Sequence, residues 1–440
     1  MNKDKLVFVG TIIHSKSLKE ITVLDGYIAV DNGKITHLGS KEEYASQTLH
    51  GYQMIQLPAD QFLMPGLVDC HTHAPQFPNI GLGLDRPLLE WLANYTFPLE
   101  SRYSDTDFAA EVYDTVVKCL IKNGTTTACY FGSLHLQGTL ELAKSAMKHQ
   151  QRALVGKVSM NLENDAGYYN DTKTELAEVD AFVKKVLDFK NDLVQPIITP
   201  RFAVSCDETL MCGLSDIAEK YNCQIQSHIS ENRSEIEYVL QINPGRVSYT
   251  DVYDKSRILN KRCIMAHAIH LSDEEMKTLV QRGVSIAHCP ASNTRLKSGL
   301  CPVRKYLDND VIVGLGTDVS GGDSASVLDA MRRAMDVSAH LEMQEQGGEG
   351  LTWTEVFYLA TLGGAKALNL EDKIGNFEIG KEFDALIVNT YVQNGPTDRY
   401  AHSHGGSTKR ERALNLLQKF IYLGDDRNIV QIFVKGKLVK

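Results

Sequence analysis

Hydrophobic and polar positions fall into different regimes along the chain. Residues 6–9, 21–24 and 27–30 are short apolar or β-branched runs, with turn signals at Asp25-Gly26 and at Asp31-Asn32-Gly33-Lys34. Runs of this length, bounded by Gly, Asn and Asp, predict strands joined as hairpins. The C-terminal stretch repeats the style. Residues 383–388, interrupted by Asp384, and 429–434 are strand-like, and Lys435-Gly436-Lys437 predicts a turn before Leu438-Val439. Neither end holds enough apolar residues for a core of its own, so the two are expected to pair into one small β domain.

Between the ends, short apolar runs alternate with longer amphipathic stretches, the pattern of βαβ units on a parallel sheet. Eight runs qualify as strands: 66–70, 125–131, 153–158, 195–200, 224–228, 263–267, 284–288 and 311–317. Eight is the number that closes a (β/α)₈ barrel of the TIM type. The expected class is therefore α/β, with the barrel at 65–378 and the small β domain built from 1–64 and 379–440. Two intervening helices are expected to open on capping boxes, Ser205 with Glu208 and Ser272 with Glu275. Each leads into an apolar stripe, Leu210/Leu214/Ile217 and Met276/Leu279/Val280. Residues 393–412 are polar and bear Gly and Ser, which reads as a loop.

Composition removes several function classes. The 440 residues are 43% hydrophobic and 23% charged, which describes a globular chain rather than a disordered one. Lys+Arg 46 against Asp+Glu 55 gives a net charge of −9, so attraction to nucleic acid or to an anionic membrane is not expected. No apolar run approaches the roughly 18 residues of a membrane span. Residues 1–10 offer only the short 6–9 run with Asp4 beside it, so no export signal is expected. Nine cysteines, odd in number, widely spread and without a C-x-x-C pair, fit reduced thiols and a cytoplasmic setting.

In such barrels, catalytic groups sit at the C-terminal ends of strands. Here His71 and His73 follow the first strand, Arg201 the fourth and Asp318 the eighth, while His228, His267 and His288 close the fifth, sixth and seventh. Residues two apart in an extended segment point to one side, so His71-Thr72-His73 can present two imidazoles to one ion. With His228 and Asp318 they make a nitrogen/oxygen donor set that suits zinc or iron, with a position left for water. Glu231, three residues after His228, is the candidate proton shuttle; its structural alternative is a carboxylate at a helix N-terminus. His267 is a candidate to polarise the water or the reacting carbon, and the alternative, packing at a strand end, is the preferred reading for His288. Asp318 has its own alternative as the cap of the turn after Gly316-Thr317. A second H-x-H, His402-Ser403-His404, falls in the polar loop and reads as solvated. Gly314-Leu315-Gly316 falls short of G-x-G-x-x-G, and neither G-x-x-x-x-G-K-[ST] nor H-E-x-x-H occurs, which disfavours nucleotide cofactors and zincin chemistry. His340-Leu341-Glu342 lacks the P-C-x-x-C that accompanies H-x-E in cytidine-type deaminases.

The run Pro65-Gly66-Leu67-Val68-Asp69-Cys70-His71-Thr72-His73, followed by His228, His267 and Gly316-Thr317-Asp318, resembles the metal-dependent amidohydrolase superfamily over most of the chain. Its dinuclear members usually carry a bridging lysine near the end of strand four; residues 194–201 contain none, so the resemblance implies one metal. Leu88-Leu89-Glu90-Trp91-Leu92, Asn123-Gly124-Thr125-Thr126-Thr127, Thr199-Pro200-Arg201-Phe202, Gln226-Ser227-His228-Ile229-Ser230-Glu231-Asn232 and Tyr422-Leu423-Gly424-Asp425 are similar to segments of the guanine deaminases within it. That resemblance implies hydrolysis of guanine to xanthine and ammonia in purine catabolism, by a homodimer with one Zn²⁺ per subunit on His71, His73, His228 and Asp318. It implies guanine contacts from Gln76, Arg201 and Phe202, with His228 and Asp318 facing the same substrate, and catalysis by Glu231, His267 and Asp318. The residue types agree, because an arginine fork suits the acceptor-rich O6/N7 edge, Phe202 offers a stacking face and Gln76 both donates and accepts. Two rivals stay open, a zinc hydrolase of another aminated heterocycle such as a pterin or triazine, and a catalytically dead scaffold.

Overall fold

A computed structural model of the chain, describing residues 5–46, 49–395, 397 and 408–440, has two sheets. The first joins the chain ends. Lys5–Ser17 pairs antiparallel with Glu20–Asp31, which pairs with Lys34–Ser40. Gln53–Gln56 and Gln61–Pro65 run parallel to the first strand, and Ala385–Asn389, Ile429–Val434 and Lys437–Leu438 extend the sheet from Gln61–Pro65 outward. Phe8, Phe383 and Phe433 pack at its centre, with Phe8 4.8 Å from Phe383 and 5.1 Å from Phe433 between ring centroids. The expected turn at Asn32-Gly33 is present, with φ of 49° and 79° in the left-handed region. The expected turn at Asp25-Gly26 is not. Both residues lie inside Glu20–Asp31, where a Cβ on Gly26 would sit 2.0 Å from the Gly39 carbonyl oxygen. That glycine serves close strand approach instead.

The second sheet is the barrel. Its strands are Leu67–His73, Thr125–Phe131, Arg152–Gly156, Val194–Pro200, Gln224–Ile229, Cys263–His267, Ser285–His288 and Val313–Leu315, each parallel to the next. Val158–Ser159 continues the third strand beside Thr199-Pro200. The first strand runs on through both histidines, and the eighth is shorter than the 311–317 run. Backbone bonds from Asp318 N–H to His71 O (2.9 Å) and from His73 N–H to Val319 O (3.0 Å) join the eighth strand's end to the first.

The helices depart from expectation in one buried stripe and two boundaries. Asp273–Arg282 opens on the Ser272/Glu275 capping box, but Val280 on it is 39% exposed, so the buried stripe is Met276 and Leu279. Glu208–Tyr221 is capped by Asp207, whose carboxylate accepts from Leu210 N–H at 2.7 Å. Ser205 Oγ donates to Phe202 O instead, inside the loop that carries Arg201. Lys409–Leu423 is a helix with its own Thr408/Glu411 box, so residues 409–412 are not loop. Their charged run hides an amphipathic helix that buries Ala413, Leu417, Phe420 and Ile421. His402 and His404 lie outside the described residues. All nine cysteines are free, and among the described residues no helix is long and apolar enough to cross a membrane.

Candidate active site

At the end of the first barrel strand, His71 and His73 sit in extended backbone with ring centroids 5.0 Å apart. A 3₁₀ turn, Ala74–Asn79, follows at once and carries Gln76 inward. The fifth strand carries His228 one residue before its end, with Nδ1 2.5 Å from Arg201 O. A carbonyl only accepts, so Nδ1 carries the proton and Nε2 presents its lone pair to the site. That Nε2 is 3.1 Å from His73 Nε2, while His71 Nε2 and His73 Nε2 lie 3.3 and 3.5 Å from Asp318 Oδ1. His71 Nε2 and His73 Nδ1 are buried without a hydrogen-bond partner.

Three imidazole nitrogens and a carboxylate oxygen thus converge in a buried space, an arrangement that fits a divalent cation bound by nitrogen and oxygen donors. Burial lowers the pKa of His71 and holds His73 and His228 well below the ordinary range, which keeps all three in the neutral form that binds metals. Burial works against the charge of Asp318, but His71, His267 and His73 outweigh it and hold the carboxyl well below its usual range. Two overlapping donor sets also lie within 4.8 Å, His71/His228/His267 and His71/Cys289/Asp318. Burial pushes the Cys289 thiol well up, so it stays protonated and is the weaker ligand.

Glu231 and His267 border this cluster. Glu231 Oε2 lies 3.4 Å from His267 Nε2, and its Oε1 accepts from Ser298 Oγ at 3.2 Å. Burial pushes Glu231 up to about 7, with His267 pulling it the other way. The next helix, Arg233–Ile242, does not use it as a cap: Asn232 caps, and Glu235 accepts from the N–H groups of Glu231 and Asn232, both at 3.0 Å. The Glu231 carboxylate is thereby left to the cavity. His267 Nδ1 faces Asn293 Oδ1 at 2.8 Å, and its Nε2 is 3.8 Å from Asp318 Oδ2. Burial opposes its protonation, but Glu231 and Asp318 outweigh burial and raise its pKa. His288 is fully buried with no hydrogen-bond partner on either nitrogen, and burial lowers it to about 3.

Over the cluster lies a small cavity of about 30 Å³, with Leu88, Trp91, Leu92, Phe202 and Leu296 as apolar wall and Gln76, Arg201, Glu231 and His267 as polar groups. Gln76 and Arg201 are each only 2% exposed. Both bind Glu100, a residue the sequence does not single out. Arg201 Nη1 donates to Glu100 Oε2 at 2.7 Å and Gln76 Nε2 donates to Glu100 Oε1 at 3.0 Å. Asn293, Ser298 and Glu100 carry no local signal, because each is defined only by a partner distant along the chain.

Residues 62–439 match the amidohydrolase family. The guanine deaminase of Rattus norvegicus is 47% identical over 99% of this chain and 96% of its own length, and that of Homo sapiens is 46% identical over 98% and 96%. The crystal structure of guanine deaminase from C. acetobutylicum with bound guanine in the active site aligns with a TM-score of 0.90 at 37% identity, covering 99% of this chain and 100% of that one. A barrel with this buried donor cluster and relatives matched end to end mean that the chain belongs to the metal-dependent amidohydrolase family, on its guanine deaminase branch.

Proposed function

We propose that this chain hydrolyses guanine to xanthine and ammonia. The observation that carries the reading is the placement of a buried Glu231 between the His/Asp cluster and a cavity edged by Arg201 and Gln76. His71, His73, His228 and Asp318 would hold one zinc per subunit, and zinc so held supplies a water acidic enough to ionise near neutral pH. Arg201 and Gln76 offer N–H donors to the oxo-purine, and Phe202 offers the ring face beside it. Glu231, poised near neutrality, accepts one proton from the water and passes it to the ring nitrogen, where it stays; the second proton, from the hydroxyl added at C2, then passes by way of the same carboxylate to the departing amine as the C2–N bond breaks. His267, oriented by Asn293, and Asp318 flank that transfer. Leu88, Trp91 and Leu92 exclude bulk water from it. Water is consumed and ammonia leaves, which balances the reaction.

The same reading makes the protein a cytoplasmic homodimer of purine catabolism, with barrel at 65–378, small β domain at 1–64 and 379–440, and no role for nucleic acid or membrane. The acidic balance supports the lack of a nucleic-acid or membrane role and the nine free cysteines support the compartment, while the dimer rests on the resemblance to guanine deaminases. The test is release of xanthine and ammonia from guanine by the purified, zinc-loaded protein, with adenine, cytosine and a pterin beside it. Turnover of guanine alone is expected. Turnover of another base would move the substrate, and no turnover with metal bound would overturn the activity.

A further inference from the structure

Glu100 is fully buried, and both its oxygens are engaged by the residues that edge the cavity. Arg201 reaches it through two nitrogens, Nη1 to Oε2 at 2.7 Å and Nη2 to Oε1 at 3.2 Å. Gln76 Nε2 donates to the same Oε1 at 3.0 Å, while Gln76 Oε1 accepts from Ser320 N–H at 3.1 Å. The pair of contacts fixes which way the Gln76 amide faces. Reversed, it would set oxygen against a carboxylate and nitrogen against an N–H.

The donor inventory then decides what the cavity can offer. A guanidinium has five N–H donors and no acceptor, so two spent on Glu100 leave about three, all donors. Gln76 keeps a second N–H, and its carbonyl is turned toward Ser320, whose N–H takes one of its two lone pairs. Burial opposes the charge of Arg201, but Glu100 outweighs it and raises its pKa. Burying an ion pair is unfavourable unless further bonds satisfy it, and an apolar pair of similar volume would serve packing alone at least as well. Glu100 also closes the part of the helical segment that covers the cavity: Leu88–Trp91, the π-helical turn Leu92–Thr96 and Phe97–Glu100 follow without interruption, before a 3₁₀ turn at Ser101–Ser104. Phe97 on that segment lies under the Arg201 guanidinium, 5.1 Å from ring centroid to Cζ.

We propose that Glu100 is a positioning residue that sets specificity: by holding Arg201 and Gln76 with donors toward the base, it selects 6-oxo purines over 6-amino purines. An amino group at C6 would meet N–H groups with N–H, whereas an oxo group accepts. This rests on the guanine reading of the cavity, so its test uses binding rather than turnover.

The probes are hypoxanthine, which keeps the 6-oxo group and lacks the reacting C2 amine, and adenine. Their affinities are measured by calorimetry on the zinc-loaded wild type, Glu100→Gln and Glu100→Asp, with zinc content and Tm recorded for each. The wild type is expected to prefer hypoxanthine. Glu100→Gln, which frees the Gln76 amide to turn, is expected to lose about tenfold or more of that preference at unchanged zinc content. Glu100→Asp, which keeps the charge but withdraws it by one methylene, is expected to lose part of it, and it decides the matter where Glu100→Gln does not fold. A folded variant with the wild-type preference, or a wild type without preference, overturns the assignment. A chain that shows the Glu100-dependent preference but releases no xanthine from guanine would lose the activity and keep this assignment; an active chain whose folded variants keep the preference would do the reverse.

Discussion

Asp69 binds Thr317 twice: its Oδ2 accepts the Thr317 hydroxyl at 2.6 Å and its Oδ1 accepts the Thr317 N–H at 3.0 Å. One buried carboxylate on the first barrel strand thereby holds the start of the loop after the eighth, two residues before His71 and one before Asp318 in register. Asp69→Ala is expected to lower zinc affinity about 10–100-fold, the usual effect of losing a residue that orients ligands. Competition with a chelator measures it. Wild-type affinity in the variant would mean that the backbone bonds between His71, Asp318, His73 and Val319 hold the ligands unaided.

Glu231 touches His267 and Ser298 but is not among the converging metal donors. Glu231→Gln is therefore expected to keep zinc and to bind guanine, while kcat falls about 10²–10⁴-fold, the scale of a lost general acid–base group. Steady-state kinetics with metal analysis separates the cases. Loss of zinc along with activity would make Glu231 a ligand rather than a proton carrier.

Arg152, on the third barrel strand, reaches across to the chain-end sheet. Its Nε and Nη2 donate to Asp384 at 3.0 and 3.1 Å, and Nη2 donates to Glu382 at 2.7 Å. Arg152→Ala leaves the Asp384 carboxylate buried without that partner and is expected to cost about 3–5 kcal/mol of stability. Activity per folded molecule should not change, because Arg152 lies away from the cavity. Denaturant unfolding checks the first claim, and a cost below about 1 kcal/mol would show that the backbone N–H of Lys435 compensates.

His14, in the first strand, is nearly fully buried and lacks a partner on Nδ1. Burial lowers its pKa from 6.5 to about 4. Below 6.5 the unfolded chain takes up this proton and the folded chain does not, so stability falls as pH drops toward 4 and is flat above about 6.5. The full swing is on the order of 3 kcal/mol. His14→Gln should flatten that part of the stability profile between pH 7 and pH 4.5, measured by urea midpoints; an equal slope in both proteins would place the acid sensitivity elsewhere.

Much of the fold was legible because its signals are local. Alternation of apolar runs with amphipathic stretches is a property of neighbouring residues, and it marks the parallel strands of the barrel within a few positions. Asp25-Gly26 misleads for the same reason: a dipeptide common in turns carries no mark of the strand that presses against Gly26 from outside. Ser205 and Glu208 have capping-box spacing, yet the loop after Arg201 turns Ser205 back to Phe202 and leaves Asp207 to cap. The charged opening of Lys409–Leu423 looks like loop until the sheet and barrel that cover Leu417 and Phe420 are in place.

By itself, the sequence determined the strand rhythm, the pairing of polar residues with strand ends and the H-x-H that sets His71 beside His73, since backbone periodicity over two to four residues is enough for each. Only the tertiary structure decided that His228 and Asp318 meet those histidines, that Asn293 orients His267, and that Glu100 binds Arg201 from 101 positions away along the chain. A buried charge must find its partner wherever the chain brings one, and that partner is chosen by how distant segments pack rather than by any pattern around the residue itself.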